Sequence, residues 1–472
     1  MTYSYSLFRK FFQCLIFMIA ILCGMQSVHA EDEELPLLPQ GPLLFKFVTP
    51  EMFQADYWIN LLPDPDRVLK TPQELKFFNW EITQMTSERV DLFAMELEKP
   101  GSVIRRVIEA DYKTVSNRKL FDVYDKYVPK SFFETEVLPI LGTDQIPSTI
   151  KIQWGAATRA TSVRALPTMK KVLEEKADYE FDQLQFTQIK LWTPVAIYHR
   201  TMNSEWYFVQ APYSRGWVKA KDIAVFDSRD EVKRYAKSDS FLDVTGESAP
   251  VCFDPLCDDG TGTVAAYFRP SMGTVIPFST KDAANYVVYL PIRGSGGNVS
   301  IRKAYLSRKA DVTEGFPAFT QRNIIKQAFK LLGARYGWGG QYDGRDCSGF
   351  THDVYLSMGV DMPRDSKYQG LIGTQLGHFE YGEESENKLI TLEHAIPGTT
   401  ILRMPKHLML YLGKVNGRHY IIHSTWAERI GTDPVADEKN RINQVVLSDL
   451  SLNGDSYLGS LFERIISMND LN

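Results

Sequence analysis

The stretch Tyr336–Phe350 constrains this chain more than any other. Glycines at 337, 339, 340 and 344 rule out a regular element, and Cys347 follows them almost at once. Before the loop, Ile324, Ile325, Ala328, Leu331 and Leu332 recur at helical spacing, with Thr320 as a cap and Gly333 as a stop. After it, Phe350, Val354, Tyr355 and Met358 repeat the pattern and predict a second helix that starts near Cys347, with Asp346 as its N-cap. A glycine-dense loop thus delivers one thiol to a first helical turn, where unpaired N–H groups and the positive end of the helix dipole favour thiolate. That is where a nucleophile would sit. A cysteine at a helix start can equally be a small buried hydrophobe.

Two histidines on strand-like segments weigh against the inert reading: His407 in His407-Leu-Met-Leu-Tyr-Leu-Gly413, and His423 in Tyr420-Ile-Ile-His-Ser-Thr-Trp426. Nucleophile, base and orienting group in that order is the arrangement of papain-like hydrolases. Alternation puts His407, Met409 and Tyr411 on one strand face, and Ile421, His423 and Thr425 on one face of the next. A two-residue Asn416-Gly417 turn pairs 415 with 418 and leaves the histidines on opposite faces. A three-residue loop with Gly417 left-handed pairs 414 with 418 and 409 with 423, so the bulged loop is expected.

Five motifs in this order resemble the NlpC/p60 family of cell-wall cysteine peptidases: Tyr336-Gly-Trp-Gly-Gly340, Arg345-Asp-Cys-Ser-Gly-Phe350, Pro363-Arg-Asp-Ser-Lys-Tyr-Gln369, His407 to Gly413, and Ile422-His-Ser424. The resemblance extends, more loosely, to a multi-domain branch with an N-terminal stabilising domain and two bacterial SH3 domains.

A chain of 472 residues with 44% hydrophobic content exceeds one core and suggests three or four domains. Arg9 and Lys10 precede an apolar run from Phe11 to Cys23, followed by Ser27-Val-His-Ala30 and an acidic Glu-Asp-Glu-Glu, which reads as a signal peptide over 1–30 and an exported protein. The apolar run is short for a membrane span, and Leu22 before Cys23 argues against a lipoprotein signal. Removing those residues leaves 51 basic against 58 acidic side chains, which excludes a polybasic nucleic-acid binder. It also leaves Cys252, Cys257 and Cys347. The first two can close a small disulfide loop in an oxidising compartment, with Cys347 as the odd thiol.

Residues 31–149 read as a mainly helical N-terminal domain. Thr71-Pro-Gln-Glu74 is a capping box, Leu75, Phe78 and Trp80 are apolar candidates behind it, and 117–128 is a second helix candidate ended by Pro129. Residues 150–230 hold short strands at 195–200, 205–210 and 216–221, a small barrel resembling a bacterial SH3 domain in which Trp206 and Phe208 read best as core. Residues 231–316 read as a linker and insertion, to about Thr263, and a second such barrel. Residues 317–472 form the peptidase domain, with the cysteine on a helix and the histidines on strands. The fold class is α+β and multi-domain: a helical N-terminal domain, two small SH3-like β-barrels and a C-terminal papain-like domain.

The resemblance implies a substrate class, bacterial cell-wall stem peptides or muropeptides cut at the γ-D-glutamyl bond to a diamino acid such as diaminopimelate. His407 would serve Cys347 as base and His423 would orient it, while N–H groups at the helix start and the Tyr336 hydroxyl would meet the oxyanion. In relatives with SH3 domains ahead of the catalytic domain, the first barrel narrows the groove and favours stems with a free N-terminal L-alanine. Carried onto this chain, Asp346 and Ser348 would bind that ammonium, and Asp365 and Ser366 would line the D-glutamyl carboxylate pocket, Asp365 through its backbone N–H. No metal or other cofactor is implied, His-Glu-x-x-His being absent. The expected state is a monomer in the periplasm or cell envelope, or secreted, with no stable membrane span after signal cleavage. The alternatives are an N-acetylmuramoyl-L-alanine amidase, an acyltransferase on the same architecture, or a catalytically silent wall-binding protein.

Overall fold

The structure, a computed structural model, describes residues 41–256, 267–380, 382–383 and 385–472. The expected signal peptide 1–30, Cys257 and the start of the strand expected at 264 lie outside the described residues. Cys252 is disulfide-bonded, and Cys347 is free. No helix among the described residues is long and apolar enough to cross a membrane.

The capping box at Thr71 forms as its residues require. The Glu74 N–H donates to Thr71 Oγ1 at 3.3 Å, and Glu74 Oε2 accepts from the Thr71 N–H at 2.7 Å, starting the helix Pro72–Met85. That helix buries Leu75, Phe78 and Ile82, whereas Trp80 is 56% exposed and lies against the equally exposed Phe77. The helix expected over 117–128 is absent. The second long helix is Gly101–Ser116, and Asn117 is its C-cap. Beyond it Asp122 Oδ1 accepts from the N–H groups of Tyr124 and Lys126, and Asp125 is left-handed at φ 59°, a side-chain turn that outcompetes helix.

The N-terminal region does not form one core. Val48, Met52, Trp58, Ile59, Leu75, Phe78 and Ile82 join the core of the C-terminal domain, with Ile324, Phe350, Val354 and Ile422. Leu92, Ile104, Ile108 and Phe133 instead join the core beneath the first barrel, with Trp154, Trp206 and Trp217.

The first barrel is a seven-stranded sheet in the spatial order Gln185–Ile189, Thr161–Arg164, Ser214–Lys219, Trp206–Ala211, Pro194–Arg200, Gln153–Ala157, Ile223–Phe226. Trp206 and Phe208 are buried in it, as the sequence suggests. The second sheet has six strands, ordered Val251–Cys252, Val299–Ser307, Asn285–Arg293, Val275–Lys281, Phe241–Val244, Val312–Glu314. The reading of residues from 231 onward as linker therefore needs correction. A helix Arg229–Ala236, capped by Ser228, buries Val232, and Phe241–Val244 pairs with strands on both sides. Elements of eight and four residues are too short for a hydrophobic period to show in sequence.

The C-terminal domain is α+β. Its antiparallel sheet runs Thr374–His378, Ser467–Asp470, Thr400–Met404, His407–Val415, Arg418–Arg429, Lys439–Asp449, with helix Cys347–Leu356 packed on it and helix Gln321–Lys330 packed on that helix. The hairpin differs from expectation in an instructive way. Val415 pairs with Arg418 across a two-residue Asn416-Gly417 turn with both residues at positive φ, the geometry Asn-Gly favours. The extra residue sits instead between Tyr411 and Gly413, where Gly413 takes φ 128°. Past that bulge Tyr411 faces Ile421 and Leu410 faces Ile422, so continuing by one residue sets Met409 opposite His423. The histidines share a face, as expected, through a bulge in the strand rather than in the turn.

Candidate active site

Asp346 caps the helix Cys347–Leu356 through a 2.7 Å bond from the Gly349 N–H, and its other oxygen accepts from the Gly339 N–H at 2.8 Å. Gly339 is left-handed at φ 57°, and a Cβ there would meet Gln185 of the first barrel at 2.6 Å, so the loop lies directly on that barrel. Cys347 begins the helix with part of its surface open. Its sulfur accepts from the backbone N–H groups of Ser348 and Leu408. The expected thiolate is not the resting state. Burial and the Asp346 charge push the thiol up to about 12, and Arg364 and the two N–H groups offset this only in part.

On the sheet, His407 and His423 meet as expected: Nε2 of the first lies 2.7 Å from Nδ1 of the second. His423 is buried, and its Nε2 lies 3.3 Å from Ser448 Oγ. A consistent proton arrangement has His423 Nε2–H donating to Ser448 and His407 Nε2–H donating to His423, which leaves a lone pair on His407 Nδ1. Burial pulls His407 down to about 3 and His423 well below its ordinary value, so both rings rest neutral. Burial holds the Tyr336 phenol well above its ordinary value, with Asp346 and Cys347 adding to the shift, so its hydroxyl stays protonated.

The structure places three of the four residues expected at the ammonium and carboxylate pockets differently, and leaves the fourth, Ser366, half-buried at the start of a short helix. Asp346 is 6% exposed and Ser348 equally so, and both are engaged by Arg364. Arg364 reaches both Asp346 oxygens, at 3.0 and 2.7 Å, and Ser348 Oγ at 2.8 Å. Burial opposes the Asp346 charge, but Arg364 and the two N–H donors outweigh it and hold the carboxyl below its usual value. With Ser348 Oγ also 3.3 Å away, that carboxylate has a full set of donors and no free face for an ammonium. The expected role of Asp346 and Ser348 is therefore corrected: they form a buried clamp.

Asp365 turns its carboxylate to its own helix, accepting from the Lys367 N–H at 2.7 Å to cap Ser366–Gln369. Its backbone N–H does meet a carboxylate, but that of Glu88, which also accepts from the Arg364 N–H at 2.7 Å. Burial raises Glu88 to about 7 despite those two N–H bonds. A carboxyl whose folded value lies above its unfolded one, near 4.5, supplies stability that is complete below about 4.5 and lost as pH rises through about 7. Glu88→Gln is expected to remove a pH-dependent difference of up to about 3 kcal/mol between acid and mildly alkaline solution. Urea unfolding of both proteins across that range measures it, and parallel pH profiles would refute it.

The first barrel supplies residues that the sequence does not reveal. The turn before its Gln185–Ile189 strand carries Glu180, Phe181 and Asp182. Trp338 Nε1 donates to the Asp182 carbonyl at 3.1 Å, and Phe181 packs against Tyr336, Trp338 and Trp426. Glu180 contributes to the field at Tyr336, and its Oε2 is buried with no hydrogen-bond partner among the described residues. Only the SH3 resemblance hinted at such a contact. Nothing in the spacing of Asp178–Asp182 marks it.

Comparison with known proteins matches two of the modules. Residues 167–219 match the SH3 domain (SH3b1 type) family, and residues 333–446 match the NlpC/P60 family. The chain is 29% identical over 214 residues, 42% of its length, to a γ-D-glutamyl-L-lysine dipeptidyl-peptidase of Bacillus cereus (strain ATCC 10987 / NRS 248), and it spans 56% of that relative. The solved structure of an NlpC/P60 endopeptidase from Photobacterium damselae subsp. piscicida has a TM-score of 0.70 at 16% identity, covering 91% of this chain and 98% of that one, a likeness of fold.

Proposed function

With an NlpC/P60 domain over residues 333–446 as the premise, we propose that this chain is an exported peptidoglycan hydrolase that cuts the γ-D-glutamyl to diamino acid amide bond of stem peptides. The observation that carries the reading is the 2.7 Å His407–His423 contact on the strand face whose neighbouring Leu408 N–H reaches the Cys347 sulfur. His407 Nδ1 is the base left for the thiol.

The chemistry starts from a neutral pair. As Cys347 Sγ attacks the amide carbon, its proton passes to His407 Nδ1, and His423 stabilises the imidazolium by accepting from Nε2–H. The oxyanion is met by N–H groups at the helix start and by the Tyr336 hydroxyl. His407 then returns its proton to the leaving amine, and water, deprotonated by the same ring, hydrolyses the thioester. With Asp346 and Ser348 occupied, the ammonium of an N-terminal L-alanine falls to Glu180, whose Oε1 lies 3.8 Å from Arg335 but whose Oε2 has no hydrogen-bond partner among the described residues, beside the rings of Tyr336 and Phe181.

The test is mass spectrometry of L-Ala-γ-D-Glu-L-Lys and L-Ala-γ-D-Glu-diaminopimelate, each free and N-acetylated, together with a muramoyl stem peptide. The expected product is L-Ala-D-Glu from the free-amine peptides, with the acetylated forms cut about 50-fold more slowly or worse. Release of the whole stem from muramic acid would establish the amidase instead. Binding without any cleavage would establish the silent module.

A further inference from the structure

We infer that Arg364 is a positioning residue for the nucleophile, and that through it the first barrel is part of the catalytic apparatus rather than only a wall of the groove. The inference rests on Cys347 being the nucleophile. Arg364 is 8% exposed and uses its whole fork. Nη1 and Nη2 grip Asp346 side-on, Nη1 also holds Ser348 Oγ, and Nε donates to Thr187 Oγ1 of the barrel at 2.8 Å. Asp346 and Ser348 flank Cys347 in sequence, so one planar group fixes both neighbours of the thiol against a strand of another module.

The same strand makes two further ties. Gln185 Nε2 donates to the Gly339 carbonyl at 2.9 Å, in the loop whose N–H caps the other Asp346 oxygen. Just past its end Lys190 pairs at 2.9 Å with Asp353, on the nucleophile helix, which Arg345 grips from the other side at 2.8 Å. Charge also has a role. The buried Asp346 carboxylate beside Cys347 opposes thiolate formation, and Arg364 is the cation that offsets it. Without Arg364 the sulfur faces an uncompensated anion, and without Thr187 the guanidinium keeps its charge but loses its anchor.

The experiment uses the full chain with Thr187→Val, Thr187→Ser, Arg364→Lys and Arg364→Met. It reads kcat and KM on the tripeptide, the rate of alkylation by iodoacetamide at pH of about 9, and thermal unfolding. Thr187→Val is expected to lower kcat about 5- to 10-fold at unchanged KM and to slow alkylation, while Thr187→Ser stays within about 2-fold. Arg364→Met is expected to lower kcat about 100-fold and alkylation about 10-fold, and Arg364→Lys to keep more of the alkylation rate than of kcat, because it restores charge without the fork. The inference fails if Thr187→Val matches Thr187→Ser in both readouts, or if the losses appear only in KM or melting temperature. Should no form cut the peptide, alkylation alone decides: slower reaction in Thr187→Val and Arg364→Met sustains the inference while the substrate reading falls, and unchanged alkylation overturns it.

Discussion

Cys347→Ala is expected to lower kcat/KM on the tripeptide by about 10⁴-fold or more, because no other group can form the thioester and water alone lacks a positioned nucleophile. His407→Ala should fall nearly as far, since the thiol rests near 12 and depends on that ring to lose its proton during attack. His423→Ala should cost less, about 10- to 100-fold, because in the proposed mechanism His423 only orients and stabilises a ring that keeps its place on the strand. Steady-state kinetics on the three variants, with melting temperatures to confirm folding, measures the series. A Cys347→Ala protein retaining more than about 1% of activity would remove the covalent mechanism.

Trp58→Ala is expected to destabilise the protein by about 3–5 kcal/mol, as large as single core truncations become. Trp58 is fully buried, donates from Nε1 to the Met52 carbonyl at 2.8 Å, and packs its ring 5.3 Å from that of Tyr420. Tyr420 in turn donates to the Phe47 carbonyl at 2.7 Å, so the segment before the first long helix is stitched to the hairpin that carries His423. Removing the indole opens a cavity between the two and leaves a carbonyl unpaired. Urea unfolding monitored together with peptidase activity is the measurement. A loss below about 1 kcal/mol would show that this segment is a detachable appendage.

How far the site can be read in advance depends on whether the information is local. The helix starts at Thr71, Thr320 and Asp346 are legible because a capping side chain bonds an N–H only a few residues away. The face shared by His407 and His423 is legible because strand alternation has a period of two, yet the device that produces it is not. Asn416-Gly417 takes the tight turn it prefers, and the extra residue moves to Gly413, a choice made where the strand meets its neighbours. The reading of 117–128 as helix fails because apolar residues at plausible spacing carry no notice that Asp122 will spend its carboxylate on its own turn.

By itself the sequence determined where the candidate thiol and the two candidate histidines lie, their order and the classes of module that carry them, since each is a property of residue type and short spacing. What only the tertiary structure decided is how those groups are charged and what remains free to meet a substrate. Asp346 reads in sequence as an open carboxylate and becomes, 18 residues from Arg364 along the chain, half of a buried ion pair. The Asp365 N–H reads as a donor awaiting a carboxylate and is met by Glu88, 277 residues away. The thiol reads as activated by its helix and rests protonated because burial and the Asp346 charge beside it disfavour the thiolate. Burial and charge compensation are sums over everything packed around an atom, and no local pattern contains them.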